Sequence, residues 1–209
     1  MTCPLCNSIE YTHVPAKTNR NFYKCENCWL IFISPEDYPS VDKEKARYEL
    51  HENTDENQGY VHFLNKAITP ALPHLTHNMH GLDYGCGPQP VLSKLLAEKG
   101  ITCDNYDPFF SDIELNPPYD FIFSTETFEH FHHPKQEMEK LSQLLKPNGI
   151  LTIMTDHWQT PEKFDNWYYI TDATHVCFYH AKTFNYIKTA YGFTSLYADK
   201  ERVVILKKQ

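Results

Sequence analysis

The sequence predicts an α/β fold, in which a doubly wound sheet of mainly parallel strands follows a small cysteine-bearing module and a helical segment. Three observations lead to this prediction. Two Cys-X-X-Cys pairs lie near the N-terminus, apolar residues then recur at helical spacing, and strand-like and helix-like segments alternate from residue 80 onwards. We accordingly expect three regions, which cover residues 1–34, 35–78 and 79–209.

The composition limits the classes of function. The 209 residues carry a formal net charge of -8, which disfavours an extended surface for nucleic acid or for an anionic membrane. No apolar run reaches the roughly 18 residues of a transmembrane helix, and no charged and apolar leader begins the chain. The odd number of cysteines, seven, argues against a secreted disulfide framework. We therefore expect a cytoplasmic protein without a membrane partner.

Four of the cysteines form two close pairs separated by 18 residues, Cys3 with Cys6 and Cys25 with Cys28. At this separation, each short turn can present two thiolates to one tetrahedral zinc ion. Because protein ligands would fill all four positions, the predicted zinc ribbon is a structural site and not a catalytic one. Two redox pairs, or unrelated cysteines, are the alternative interpretations.

The region 35–78 is expected to form a helical linker or lid. Apolar residues recur every three or four positions on either side of a polar loop at 52–59. Pro70 and Pro73 should end or bend the second helix. One face of the first helix carries Arg47, Tyr48 and His51. This face could close over a cleft, with the guanidinium binding a carboxylate, or could face solvent.

The region from residue 79 onwards alternates between strands and helices, as expected for parallel strands joined by crossover helices. The predicted strands cover residues 82–84, 101–106, 121–124, 150–154, 194–198 and 203–206, and the predicted helices lie around 91–96, 138–145 and 181–191. The last two strands follow each other across a short turn and form a hairpin, which a simple crossover pattern does not explain.

Two glycines mark the turn between the first strand and the first helix of this region. Gly85 and Gly87 let the backbone approach a ligand where a Cβ would not fit. Asp107 follows at the end of the next strand, where an acidic side chain usually binds a ribose diol. The pattern predicts a nucleoside-bearing cofactor. The alternative is a tight turn and a capped strand end without a ligand.

A dinucleotide fingerprint would place a third glycine at position 90, where this chain has Pro90. A nicotinamide dehydrogenase is therefore the weaker alternative. Residues 82–87 with Asp107, residues 119–126 and residues 144–151 together resemble the class I S-adenosylmethionine-dependent methyltransferases. The resemblance covers about residues 80–209. It implies a Rossmann-like sheet with an antiparallel C-terminal strand, and S-adenosylmethionine as the cofactor.

The resemblance also implies a set of cofactor-binding residues. The glycine turn would border the methionine and sugar parts, Asp107 would bind the ribose hydroxyls, and the next two residues would flank adenine. Two residues at the end of the fourth strand would face the donor. The full set comprises Asp83, Tyr84, Gly85, Cys86, Gly87, Asp107, Pro108, Phe109, Thr125 and Glu126.

The chain departs from the family pattern at two points. Gln89 occupies the position of the usual third glycine, so its side chain must turn away or touch the cofactor. The interval from Asp107 to Tyr119 is short, so the third strand and its adenine-contacting acidic residue are expected to be missing. Ile113 or Glu114 would be the only substitutes for that acidic residue.

Candidates for the chemistry on the acceptor follow the fourth strand. A neutral histidine can act as a base at physiological pH, and such assistance typically contributes about 10²- to 10⁴-fold. His130 is the first candidate, with a structural or cofactor-shaping role as the alternative. His132 and His133 could bind a metal with Glu129, or could begin the helix at Pro134.

The stretch 172–179 offers a second candidate, because related methyltransferases place a similar stretch over the cofactor cleft. His175 would be a polar contact in a wall that faces the substrate. Alternatively, Asp172 and His175 would satisfy each other in a buried loop.

The predicted function is methyl transfer from S-adenosylmethionine to a small-molecule acceptor. A non-catalytic, methyltransferase-like binding protein that docks through the zinc ribbon is one alternative, and an RNA or protein methyltransferase is another. The acceptor, its nucleophilic atom and the oligomeric state are not predicted.

Overall fold

The computed structural model describes residues 1–50 and 53–209. His51 and the first residue of the loop predicted at 52–59 lie outside the described residues. The strands are β1 (Tyr11–Val14), β2 (Phe22–Cys25), β3 (Ile31–Ile33), β4 (His80–Tyr84), β5 (Thr102–Tyr106), β6 (Tyr119–Thr125), β7 (Leu145–Met154), β8 (Cys177–Phe178), β9 (Phe193–Ala198) and β10 (Val203–Lys208). The α-helices are α1 (Val41–Glu49), α2 (Gln58–Ala71), α3 (Val91–Ala97), α4 (Pro134–Leu144), α5 (Pro161–Phe164) and α6 (Ala181–Tyr191).

The main sheet has six strands in the order β5-β4-β6-β7-β10-β9. The first four strands are parallel, whereas β10 runs antiparallel to both β7 and β9. The inserted antiparallel strand is the one that the resemblance implies, and this prediction is confirmed. In the described chain β5 is an edge strand, because residues 107–118 lead directly to β6. The third strand of the family's sheet, expected between β5 and β6, is therefore absent from the described residues.

Helices cover both faces of this sheet, because each carries an apolar stripe at helical spacing. On one face α2 and α3 bury side chains such as Leu64, Ile68 and Leu96 against Phe121 of β6. On the other face α4 and α6 pack in a second core. None of the helices in the described ranges is both long and apolar enough to cross a bilayer.

Local sequence explains where the helices begin and end. The side chain of Asn57 accepts a hydrogen bond from the backbone N–H of Tyr60 and caps the start of α2. This helix ends one residue after Pro70, as expected. His180 and Thr183 form a reciprocal capping pair at the start of α6, and Gly192 ends that helix in the left-handed conformation, at φ +70°.

The N-terminal module is a second sheet, with the order β1-β2-β3-β8. Its fourth strand comes from residues 177–178, close to the C-terminal helix. The ring of Phe22 lies 5.2 Å from that of Phe164 and 5.7 Å from that of Phe178. The module thus shares one core with the rest of the chain, and the limits of the three regions remain predictions.

One strand begins earlier than the sequence indicates. Turn-forming residues at 146–149 separate the predicted helix around 138–145 from the predicted strand at 150–154, but β7 already starts at Leu145. The pairing with β6 is irregular here: Tyr119 pairs with Leu145, whereas Phe121 pairs with Ile150. Asn148 adopts φ +63° within this irregularity. The turn residues are therefore present, but they form a bulge within a strand.

Candidate active site

The glycine turn lies where two parallel strands end side by side. Tyr84 and Tyr106 are register partners at the ends of β4 and β5. The backbone N–H groups of Gly85 and Cys86 both donate to the Tyr106 carbonyl, at 2.8 and 3.1 Å. The turn is therefore fastened to the end of the neighbouring strand, at the edge where α/β sheets bind ligands.

Each of the two glycines is required for its own reason. Both have positive φ, +88° at Gly85 and +67° at Gly87. A Cβ on Gly85 would lie 2.4 Å from Oγ1 of Thr127, so the chain following β6 leaves no room for one. A Cβ on Gly87 would meet nothing within 4 Å and would project into open space. Gly87 therefore keeps the backbone accessible from the cavity.

Asp107 joins the end of β5 to this turn. Its Oδ2 accepts a hydrogen bond from the Gly87 N–H at 3.0 Å, and its Oδ1 accepts from the N–H of Phe109 at 2.9 Å. Oδ1 also accepts from the Phe110 N–H at 3.3 Å, so the buried carboxylate keeps one free lone pair, on Oδ2. The carboxylate is thus fixed in place and can still accept one further hydrogen bond, such as that of a hydroxyl group. This arrangement fits a ribose.

Asp83 supplies a second acceptor beside the turn. The residue is 2% exposed, and its Oδ1 has no hydrogen-bond partner among the residues that the structure describes. Burial, together with the charge of Asp107, raises the pKa of Asp83 to about 7. A buried oxygen without a donor is costly, so this atom also fits a polar ligand.

These groups line one cavity of about 990 Å³. Every residue that the sequence assigns to the cofactor lies in its wall, and so do His130 and His175. The volume is at the upper end of the range for small-molecule sites, about 300–1,000 Å³. Gln89 is exposed, and the wall passes from Pro88 to Val91. Ile113 and Glu114 are exposed as well.

Glu126 takes part in an ion-pair network that sequence reasoning missed. It adopts φ +51° just after β6, and both carboxylate oxygens accept from Nη1 of Arg202, at 2.8 and 2.9 Å. Nη2 of Arg202 lies 2.9 Å from Asp156. Burial, and next the charge of Glu129, raise the pKa of Glu126 to about 8. The only sequence signal for Arg202 is a charge immediately before a buried strand.

His130 and His175 lie together in the wall, with ring centroids 4.9 Å apart. Nδ1 of His130 is 3.0 Å from the Thr174 carbonyl, and Nδ1 of His175 is 2.8 Å from the Tyr169 carbonyl. Burial lowers the pKa of both histidines, that of His175 to about 3. Both rings are therefore neutral at physiological pH.

The first helix, α1, lies over this cavity. The ring of Tyr48 is 5.2 Å from that of His130 and 5.7 Å from that of Phe109. Arg47 binds a carboxylate, as its helix face allowed, but the carboxylate is that of Asp172, with Nε and Nη2 at 3.1 and 2.9 Å from Oδ2. Asp172 also accepts from Thr174, whereas His175 pairs with a carbonyl. These contacts replace the pairing of Asp172 with His175 that was the alternative interpretation.

His132 and His133 do not join Glu129 as the sequence allowed. Nε2 of His132 lies 3.0 Å from Oε1 of Glu44 on α1. His133 is exposed at the N-cap position of α4, which is the helix-start interpretation.

The four N-terminal cysteines converge in a separate cluster. Their sulfur atoms lie within 4.8 Å of one another, and Cys3–Cys28 and Cys6–Cys25 are 3.5 and 3.4 Å apart. No disulfide joins these free thiols. Thiolates at 2.3 Å from a tetrahedral ion would be about 3.8 Å apart, so the donor set suits structural zinc.

The sequence profile of the family described as "Methyltransferase domain" matches residues 55–198, which is more than half of the chain. The chain belongs to this methyltransferase family. The expectation of a methyltransferase domain is thus confirmed. No curated protein sequence matches the chain.

One solved structure supports the methyltransferase fold, and others are similar to the chain. The chain is similar to the 1,6-didemethyltoxoflavin-N1-methyltransferase of Burkholderia thailandensis, at 13% identity and a TM-score of 0.50, over 96% of this chain and 99% of that one. It is also similar to the CurJ carbon methyltransferase, at 15% identity and a TM-score of 0.44, over 69% of this chain and 53% of that one. A putative methyltransferase of Bacillus halodurans C-125 matches at 15% identity and a TM-score of 0.48, over 64% and 70%.

Proposed function

We propose that this methyltransferase domain binds S-adenosylmethionine against the glycine turn and transfers its methyl group to a small acceptor held beside His130 and His175. The observation that carries the proposal is the position of Asp107. A buried carboxylate with a free lone pair on Oδ2, a backbone left open at Gly87 and an unpaired oxygen on Asp83 all border one cavity.

The cofactor would supply a methyl group on a positively charged sulfur, and the chain would align a nucleophile with it and exclude water. Oδ2 of Asp107 would accept a hydrogen bond from a ribose hydroxyl. Oδ1 of Asp83 would accept from a donor on the methionine portion. Pro108 and Phe109 would flank adenine, at the side where the missing third strand leaves the loop 107–118 to form the wall.

A small acceptor is supported by the shape of the site. The cavity has space for a cofactor and a second molecule of modest size, and α1 lies across it through the contacts of Tyr48 and Arg47. The net charge of -8 disfavours extended nucleic acid. The neutral nitrogen atoms of His130 and His175 would accept hydrogen bonds from a hydroxyl or amine of the acceptor.

The four N-terminal cysteines would hold one zinc ion. With all four positions filled, this ion would only stabilise the N-terminal sheet and its junction with β8. The non-catalytic alternative would use the same module for docking.

The test is a screen of small hydroxyl, amine and carbon-acid compounds, with RNA and protein as further arms, in which formation of S-adenosylhomocysteine is measured. We expect turnover with one small-molecule class, and at least tenfold lower turnover in His130→Ala with cofactor binding retained. The exposed His13 provides the control substitution, His13→Ala. Turnover with RNA or protein alone would reject the small acceptor. Cofactor binding without turnover in any arm would favour the binding protein.

A further inference from the structure

Three side chains that can bind a metal ion converge in the wall of the cavity, outside the region assigned to the cofactor. A carboxylate oxygen of Glu129 and one ring nitrogen each of His130 and His175 lie within 4.8 Å of one another. All three residues line the cavity. The sequence suggested Glu129 as a metal ligand, but with two other histidines.

The hydrogen bonds of the two histidines decide which ring nitrogen keeps a lone pair for a metal ion. A backbone carbonyl can only accept, so Nδ1 of His130 must donate to Thr174 and Nδ1 of His175 must donate to Tyr169. In a neutral ring this leaves the lone pair on Nε2. Metal-binding histidines are oriented by the same kind of contact, in which the other ring nitrogen donates to a carbonyl or carboxylate.

Glu129 completes the set. The residue is fully buried, and Oε1 accepts a hydrogen bond from the hydroxyl group of Tyr169. Its Oε2 has no partner within residues 1–50 and 53–209. A buried carboxylate oxygen without a donor, beside two imidazoles whose Nε2 atoms can only accept, favours a cation at this position.

We infer that Glu129, His130 and His175 bind a first-row divalent metal ion, separate from the zinc site of the four cysteines. Two imidazole nitrogens and one carboxylate form a donor set found in zinc and non-haem iron(II) sites with open positions. Donors at 2.1 Å from a tetrahedral ion are about 3.4 Å apart, so the side chains would close by up to about 1.4 Å on binding.

The open positions would face the cavity. This part of the inference rests on the proposed function: an acceptor in the cavity would reach the ion through an oxygen atom, so its class would be a hydroxyl or hydroxy-carbonyl compound. The two histidines would then contact the acceptor through the metal ion and not directly. The metal site itself does not depend on methyl transfer.

The test uses the full chain, saturated with Co²⁺ or Zn²⁺ alone and then dialysed, with bound metal counted by mass spectrometry. We expect two equivalents in the wild type. Glu129→Gln should retain one equivalent with the thiolate-to-cobalt charge-transfer absorption intact, whereas Cys25→Ser should lose that absorption and retain the other equivalent. Tyr169→Phe, which removes the hydrogen bond to Glu129, should weaken the second site about 10- to 100-fold.

His133→Ala is the matched control, because this histidine is exposed at the start of α4, and it should retain both equivalents. One equivalent in the wild type at saturating metal would overturn the inference, and so would two equivalents in Glu129→Gln. The number of metal ions bound by the wild type tests the inference even where a variant fails to fold. Binding of S-adenosylmethionine, measured separately, can fail without changing this count.

Discussion

The carboxylate of Asp107 accepts a hydrogen bond from the backbone N–H of Gly87 at 3.0 Å, across the ends of two neighbouring parallel strands. The turn after β4 and the carboxylate after β5 therefore hold each other in position and do not act independently. Any change at the turn should alter the position of the carboxylate that would bind ribose.

Gly87→Ala tests the turn, with Gly192→Ala as its matched control. Both glycines have φ near +70°, and a Cβ at either would meet nothing within 4 Å. Each substitution should therefore cost about 1–2 kcal/mol of unfolding free energy, because alanine disfavours this conformation. Only Gly87→Ala should also weaken S-adenosylmethionine binding, by about tenfold or more, or about 1.4 kcal/mol. Urea denaturation and calorimetry measure the two effects. Equal binding by both variants would contradict the account.

Arg202→Ala tests the network at the end of β6. The guanidinium side chain is 14% exposed and faces Glu126 and Asp156. Its removal leaves two carboxylates without a cation, and we expect a loss of about 3 kcal/mol in unfolding free energy. Lys146→Ala breaks the more exposed pair with Asp120 and should cost less than about 1 kcal/mol. Equal losses in denaturant titrations would show that burial of the pair is unimportant.

Cys25→Ser tests the N-terminal zinc site. We expect the variant to lose the thiolate-bound ion and to unfold at lower temperature, since the N-terminal sheet includes β8 and shares the core of the chain. Cys103→Ala changes a cysteine outside the cluster and should retain the ion. Metal analysis and thermal melting provide the measurements. A Cys25→Ser protein that keeps both its zinc and its melting temperature would rule out this site.

His157→Phe tests a buried imidazole away from the cavity. The ring packs 4.9 Å from that of Phe184, and neither ring nitrogen has a hydrogen-bond partner in the described parts of the chain. Burial lowers the pKa of His157 to about 4, although Asp199 and Asp156 raise it and His180 lowers it further. Between pH 4 and 6.5 the unfolded chain thus binds a proton that the folded chain does not.

The stability of the wild type should consequently fall as the pH falls through this window, by up to about 1.4 kcal/mol per pH unit from this group. His157→Phe should remove that contribution, so its stability relative to the wild type should rise from pH 7 to pH 5. Denaturant titrations at the two values measure the difference. A constant difference would mean that His157 is protonated in the folded protein as it is in the unfolded one.

The cofactor side of the site could be predicted because its determinants are local. Gly85, Gly87 and Asp107 stand at fixed offsets from strand ends, and adjacent parallel strands bring those ends together. The succession of strands and helices along the chain after residue 79 was also predictable from local sequence, because apolar runs, turn residues and helix caps alternate clearly.

Contacts that depend on distant pairing could not be predicted. Arg202 reaches Glu126 only because the β9–β10 hairpin inserts next to β7, and nothing in the local sequence sets that register. The two-residue strand β8 has no periodicity to recognise, so the junction of the N-terminal sheet with the rest of the chain was missed. Likewise, the convergence of His175 on Glu129 depends on the path of a long loop.

The most direct test of the central claim is calorimetric titration with S-adenosylmethionine of the wild type, Asp107→Ala and Asp104→Ala. Asp104 lies on the same strand, but its carboxylate pairs with His80 and Tyr119. We predict saturable binding to the wild type and to Asp104→Ala, and binding about 10- to 100-fold weaker in Asp107→Ala, the effect of losing a hydrogen bond to a charged acceptor. No binding by the wild type at millimolar cofactor, or unchanged affinity in Asp107→Ala, would contradict the assignment of this cavity.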